Sequence, residues 1–348
     1  MTEEQCLFNI NDNTYFKYCS FLDEQFKKAA KEKSVFTRYL DLGVKIIKLQ
    51  IAGKEFLKRT EQNFYCSIKK EAKHYDATLY IWKDDIRSFL SDNYKKNKFL
   101  CVMHNNDIFI KFFLEIGMLN AQNLKTNSFY FAVNSFSDDV LPKVGHLFVN
   151  AIFPATLTNH SSLAHAASIG IDNKGVLICA SSGGGKTTLA VSCLIDGFQY
   201  VSDDYLILNK MDNNLYAHPI YSMVTLTPQI YNRLTNLKCQ FMYNNYNNTK
   251  YVLDVSAYNN SFVQGMPIKV LIFPFISKLK EPTIEKINKG KAIAQFVYST
   301  AKQMDKHLNK EYMKLLISLV KDLDCYQINL SQDLDQNVKI LKQFIKEL

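Results

Sequence analysis

The chain has 348 residues, 47% of them hydrophobic and 22% charged, a globular composition long enough for two ordinary domains and far from the disordered regime. Its net charge of +9 rests on 42 basic residues, of which only Arg38, Arg59, Arg87 and Arg233 are arginine. That balance favours an acidic or phosphorylated partner, whereas dispersed lysines without a recognition motif argue against nucleic acid. Eight cysteines without a C-x-x-C pair argue against a disulfide framework or a zinc site and fit a reducing compartment.

The amino terminus lacks the basic start and apolar run of a signal peptide, and no apolar stretch approaches the roughly 18 residues of a membrane span. A cytoplasmic protein without a membrane partner is expected. Phe21 to Lys33 has the apolar spacing of a helix. Short alternating runs predict strands at Val44–Ile51, Phe64–Ile68 and Ala77–Trp82, with two more at Phe99–Val102 and Ile108–Ile110. Phe112 to Leu119 reads as a helix, and Tyr130–Val133 as a further strand. His74, His104 and His307 stand isolated and read as structural or solvated.

Polar residues at Ser135–Asp139 mark a boundary, dividing the chain into an α+β region at 1–138 and a second domain at 139–348. In the second, the spacing from Pro142 predicts a helix ending at Pro154, followed by one strand over Ser161–Ile171. Asp172-Asn173-Lys174-Gly175 is a hairpin turn, which sets His165 near whatever follows the next strand. Beyond the central motif, strands are expected at Phe198–Val201, Tyr205–Leu208 and Lys269–Phe273, the last stopped by Pro274. Asn244–Thr249 reads as a surface loop, and Glu311–Leu323 and Asn337–Leu348 as closing helices.

The motif lies between an apolar strand, Gly175–Cys179, and an apolar helical segment from Leu189. It reads Ala180-Ser181-Ser182-Gly183-Gly184-Gly185-Lys186-Thr187-Thr188 and satisfies G-x-x-x-x-G-K-[ST] except at its first position, where Ala180 stands. Glycines permit the left-handed backbone that lets successive N–H groups converge on phosphate oxygens, and the helix start adds its positive dipole end. Ser181, Ser182, Gly183, Gly184, Gly185, Lys186, Thr187 and Thr188 are the expected nucleotide-binding residues. Lys186 is suited to the outer phosphates and the Thr187 hydroxyl to a bridging Mg²⁺. Asp203-Asp204, adjacent carboxylates after a strand, suit metal binding and proton transfer, although Asp-Asp also favours a plain turn.

From His165 to Asp204 the chain resembles the core of HPr kinase/phosphorylase and its relatives, which share a phosphoenolpyruvate-carboxykinase-like P-loop fold. The resemblance rests on His165-Ala166, Gly175-Val176-Leu177-Ile178, Ser182 to Thr187, Gly197 and Ser202-Asp203-Asp204. It implies an α/β fold with a mixed sheet, preceded here by the smaller α+β domain. It further implies that Asp203 is the catalytic base, that His165 tunes it, that Lys186 and the loop bind ATP, and that Thr187 and Asp204 hold Mg²⁺. The arginine-containing glycine-rich segment of true HPr kinases is missing, since no arginine follows Arg233. HPr is therefore not the expected acceptor, and the chain resembles a divergent member of that family.

The expected function is ATP- and Mg-dependent transfer to a hydroxyl, that of Ser or Thr in a peptide or small protein. Relatives of this divergent type accompany peptide natural-product systems, so a precursor peptide belongs to that class. The alternatives are a small-molecule kinase with a metabolite acceptor and a nucleotide sensor or scaffold without catalysis. A homo-oligomer is compatible with the resemblance. Residues 1–138 are left as a recognition module.

Overall fold

Runs of β-branched and aromatic residues build a first mixed sheet of nine strands. In chain order these are β1 (Cys6–Leu7), β2 (Val35–Asp41), β3 (Ile46–Ala52), β4 (Ile68–Lys69), β5 (Ala77–Lys83), β6 (Cys101–His104), β7 (Ile108–Phe113), β8 (Met118–Asn123) and β9 (Ser128–Val133). They are ordered β1-β6-β7-β8-β9-β5-β3-β2-β4. The computed structural model describes residues 6–7, 12–90, 101–104, 107–135, 148–181, 183–234, 237, 239–245, 248–254, 258, 261–303 and 310–348. Helix α1 (Asp12–Glu32) packs Leu22 and Phe26 on one face of this sheet, with the Phe26 ring 6.0 Å from that of Trp82.

Two expectations in this half are corrected. Phe112–Leu119 is not a helix but the turn of the β7–β8 hairpin, where Gly117 takes a φ of 61° and Ile116 N–H bonds the Phe113 carbonyl. The glycine outweighs helix-like apolar spacing because it supplies the left-handed backbone that the reversal needs. Phe64–Ser67 is not strand either, and β4 begins only at Ile68. The segment follows helix α2 (Lys54–Asn63), and Ser67 and Ile68 both donate backbone N–H groups to the Phe64 carbonyl. Phe64 itself is fully buried and stacks between elements, which explains the apolar signal without a strand.

Helix α3 (Val149–Thr156) begins beyond the undescribed part of the stretch expected to be helical from Pro142, and it runs two residues past Pro154. Its last turn closes through Leu157 N–H to the Pro154 carbonyl and the Thr156 hydroxyl to the Phe153 carbonyl. The second sheet also has nine strands: β10 (Ser161–His165), β11 (Ala167–Ile171), β12 (Lys174–Ile178), β13 (Gln199–Ser202), β14 (Tyr205–Met211), β15 (Asn214–Pro219), β19 (Met266–Ile276), β20 (Thr283–Lys286) and β21 (Asp324–Leu330). The three between, β16 (Met223–Leu226), β17 (Cys239–Asn245) and β18 (Asn248–Asp254), form a small antiparallel sheet. Asn244–Thr249, expected as a loop, is thus the end of the β17–β18 hairpin, with 246–247 outside the described residues.

The main path of the second sheet is β10-β14-β15-β19-β12-β11-β13. Ser161–Ile171 is two strands rather than one. After His165 the chain leaves its pairing with β14, and β11 joins β12 and β13 instead. The β11–β12 turn is confirmed, with Asp172 and Asn173 at φ of 49° and 58°. Strand β19 runs through Pro274 instead of stopping there. The Ile272 carbonyl accepts from Cys179 N–H, so the nitrogen two residues on points to the edge where β12 has already ended. A missing N–H at that edge breaks no ladder bond.

Helices α4 (Lys186–Ile195), α5 (Pro228–Arg233), α6 (Lys289–Gln303), α7 (Lys310–Val320) and α8 (Leu334–Glu347) complete the chain. A core of Ile178, Leu189, Ile272 and Leu341 joins α4 and α8 to one face of the second sheet. On the other face, a second core is continuous with the first sheet. There Phe148 lies 4.8 Å from Phe131 and 5.9 Å from Phe64, and Phe64 lies 5.2 Å from Tyr221. Among the described residues no helix is long and apolar enough to cross a membrane.

Candidate active site

The chain between β12 and α4 makes the expected strand–loop–helix unit. Gly183 and Gly185 adopt φ of 79° and 91°, a region that side chains with a Cβ rarely enter. Gly184 N–H bonds the Ser181 carbonyl at 3.0 Å, and a Cβ on Gly184 would meet that of Ala180 at 3.0 Å. Ala180 is buried and outside the positive-φ positions, so the departure from glycine leaves the turn intact. Ser182 lies outside the described residues. Gly185 precedes α4, whose carboxyl end closes at Gly197 through Gly197 N–H to Leu194 and Phe198 N–H to Cys193. Cys179 and Cys193 are buried free thiols, and burial pushes both above the ordinary thiol range.

Lys186, only 7% exposed, projects from the first turn of α4 onto both carboxylates of the β13–β14 connection. Its ammonium makes a short ion pair with Asp203 and lies 2.6 Å from Asp204 Oδ1. The Thr187 hydroxyl donates to Asp203 Oδ2 at 2.7 Å. Burial opposes the charge on Lys186, but Asp203 and then Asp204 outweigh it and hold the ammonium above its ordinary range. Asp203 is 3% exposed, while Asp204 takes a left-handed φ of 64°. That turn is fixed by Tyr205 N–H to the Asp203 carbonyl and by the Ser202 hydroxyl to the Tyr205 carbonyl, both within 2.9 Å.

His165 enters the same cluster from the end of β10, its Nε2 3.7 Å from Asp204 Oδ1. It sits on β10 rather than on a strand directly beside β12, yet the expected proximity to the loop is met because Ala167 pairs with Ile178. Its backbone N–H donates to Thr300 Oγ1 on α6 at 3.2 Å, and its ring lies 5.8 Å from that of Tyr205. Nδ1 is buried without a hydrogen-bond partner. Thr300 and Tyr205 were missed from sequence. Tyr205 is the register partner of His165 and follows Asp204 directly, so the Asp pair was the signal for it; Thr300, 135 residues away, had none. Of the isolated histidines, His74 is exposed, and 307 lies outside the described residues, as does the side chain of His104.

Two carboxylates face one ammonium, with a hydroxyl alongside, so the cluster has an excess of hard oxygen donors. Among the described residues no three His, Cys, Asp or Glu side chains gather at a metal site. The donors instead fit Mg²⁺, which commonly takes one or two carboxylates and completes its shell with phosphate and water. Thr187 meets Asp203, and Lys186 stands between Asp203 and Asp204, the carboxylate expected to share Mg²⁺ with Thr187.

No protein-family model matches the chain, and no curated protein does. A solved structure it is similar to is the Hpr(Ser) kinase/phosphatase from Coxiella burnetii, at 15% identity and a TM-score of 0.31, covering 53% of this chain and 88% of that one. At those values the likeness carries no argument about activity.

Proposed function

We propose that the chain is an ATP- and Mg-dependent phosphotransferase acting on a hydroxyl, that of Ser or Thr in a peptide or small protein. The supporting observation is the convergence of Lys186, Thr187, Asp203, Asp204 and His165 at the mouth of a glycine loop that opens a helix. A phosphate loop alone is generic; a buried carboxylate at its lysine adds a proton acceptor.

In this reading the loop amides and Lys186 bind the outer phosphates. As the ammonium turns toward them it leaves Asp203, whose Oδ1 then takes the proton of the acceptor hydroxyl. The new O–P bond forms as the bridging bond to the terminal phosphorus breaks, and ADP departs. Thr187 and Asp204 would hold Mg²⁺, which would neutralise the phosphate charge. His165, with Nε2 3.7 Å from Asp204 Oδ1, stands beside the carboxylate pair. The division at 138/139, with the first part recognising the acceptor, belongs to the same proposal, as does a cytoplasmic location.

The test is transfer from γ-labelled ATP, with Mg²⁺, to a Ser/Thr peptide library and to a metabolite pool, comparing wild type with Asp203→Asn. Label on peptide, lost in the variant, supports the reading. Label on metabolites moves the acceptor to small molecules, and equal labelling by both proteins refutes Asp203 as the base.

A further inference from the structure

The phosphate loop has two flanks, and they differ chemically. Sheet order across it is β19-β12-β11-β13. On the β11–β13 flank stand Asp203 and Asp204, met by His165 from the end of β10, the groups suited to the terminal phosphate and the acceptor. On the other flank β19 outruns β12, whose last paired residue, Ile178, opposes Ile272, and extends to Ile276.

That overrun is apolar and open. Phe275 is 57% exposed, Ile276 63% and, just beyond, Leu279 49%. Side chains of Ile276 and Leu330 lie directly beside the loop, since a Cβ on Gly185 would come within 3.8 Å of Ile276 Cγ1 and 3.0 Å of Leu330 Cδ1. The backbone here is well held. Ile276 pairs with Leu330 in β21, Ser277 donates both its N–H and its hydroxyl to the Leu330 carbonyl, and Leu279 N–H bonds Ser277 Oγ. Exposed apolar side chains on a fixed strand end offer a preorganised contact for a flat, apolar group.

We propose that this end of β19, with Ile276 on the face that meets the loop, receives the base and ribose of the nucleoside triphosphate. The proposal rests on the nucleotide reading above. A triphosphate laid over the loop with its terminal phosphorus at Lys186 and Asp203 must direct its nucleoside away from the carboxylates. The β19 flank is where that direction leads. It has no carboxylate among Phe275 to Lys280 and presents faces on which a planar base can lie.

The experiment measures binding of ATP and of inorganic tripolyphosphate, each with Mg²⁺, to the full chain and to Ile276→Ser. The Ile276 side chain is exposed, so the fold tolerates the change. The expected result is an affinity for ATP lowered about tenfold in the variant, as loss of one apolar contact implies, with tripolyphosphate affinity unchanged. Unchanged ATP affinity, beside tripolyphosphate binding, overturns the base subsite while leaving the phosphate loop in place. A parallel loss of both ligands also overturns it, because the residue then acts on the loop and not on the nucleoside. If the wild type binds neither ligand, the nucleotide reading fails and this inference with it.

Discussion

Lys186 holds the site together and exposes it to the largest single perturbation. A buried ammonium between two carboxylates is stabilising only as a set, because removing one partner strands charge in a low-dielectric setting. Lys186→Ala is expected to lower unfolding stability by about 3–5 kcal/mol, as removal of one partner from a buried pair does. Adding Asp203→Asn to it should restore part of that loss, since the stranded carboxylate then becomes a neutral amide. Denaturant titration of both variants checks this, and equal stability of the single and double variants would show that Asp203 does not depend on Lys186. On the proposed reading, the same contacts couple the ligand and acid–base roles of these residues. In the proposed mechanism Asp203 becomes free to accept a proton only once the ammonium turns to phosphate, which makes phosphate binding and base activation one event.

At the scale of elements, local sequence signals match the structure where chemistry and conformation share a few contiguous residues. The loop from Ala180 to Thr188 declares its glycines, and the Asp172-Asn173 turn declares its left-handed backbone. Position of the Asp203-Asp204 turn followed from the strand before it. Signals failed where packing decides. Phe112–Leu119 has helical spacing but obeys Gly117, and Phe64 is apolar because it sits in the core between two sheets. Pro274 is a strand breaker by composition and a strand residue in fact, because the partner that would need its N–H ends earlier. The exposed end of β19 was invisible for the same reason: only pairing shows that β12 stops short of it. Thr300, which fixes the His165 backbone, comes from a helix whose tertiary position no local pattern encodes.

For the whole molecule, His218 marks where the two sheets meet. Its ring fills the space against Gly43 of the first sheet's β2–β3 connection and against Gly265, so closely that a Cβ on Gly43 would lie within 2.5 Å of two ring atoms. Nδ1 faces the Gln264 carbonyl at 3.1 Å, and Nε2 is buried without a partner. Burial lowers the His218 pKa from its ordinary 6.5, and neither the Gln264 carbonyl nor Asp41 compensates. The folded protein therefore binds this proton less readily than the unfolded chain. The contribution to stability is present in full above the unfolded value and is lost as pH falls from about 6.5 through the folded value. Thermal melts from pH 7.5 to 5 should fall for the wild type and fall less for His218→Gln. Asp41, whose carboxyl is held low by Lys69 and Gly43 against its burial, adds acid sensitivity only below the ordinary carboxylate range, outside that window. Parallel melting curves for wild type and variant would contradict the assignment.

The most direct measurement of the central claim is calorimetric binding of ATP, with and without Mg²⁺, to three forms of the full chain. Wild type and Asp203→Asn are predicted to bind Mg-ATP with similar affinity, because the loop and Lys186 survive in both. Lys186→Met combined with Asp203→Asn, which removes the ammonium together with its most buried counter-charge, is predicted to bind at least about a hundredfold more weakly, the loss of a charge-assisted contact to phosphate. Equal binding by all three, or no binding by the wild type, would contradict a nucleotide site at Lys186.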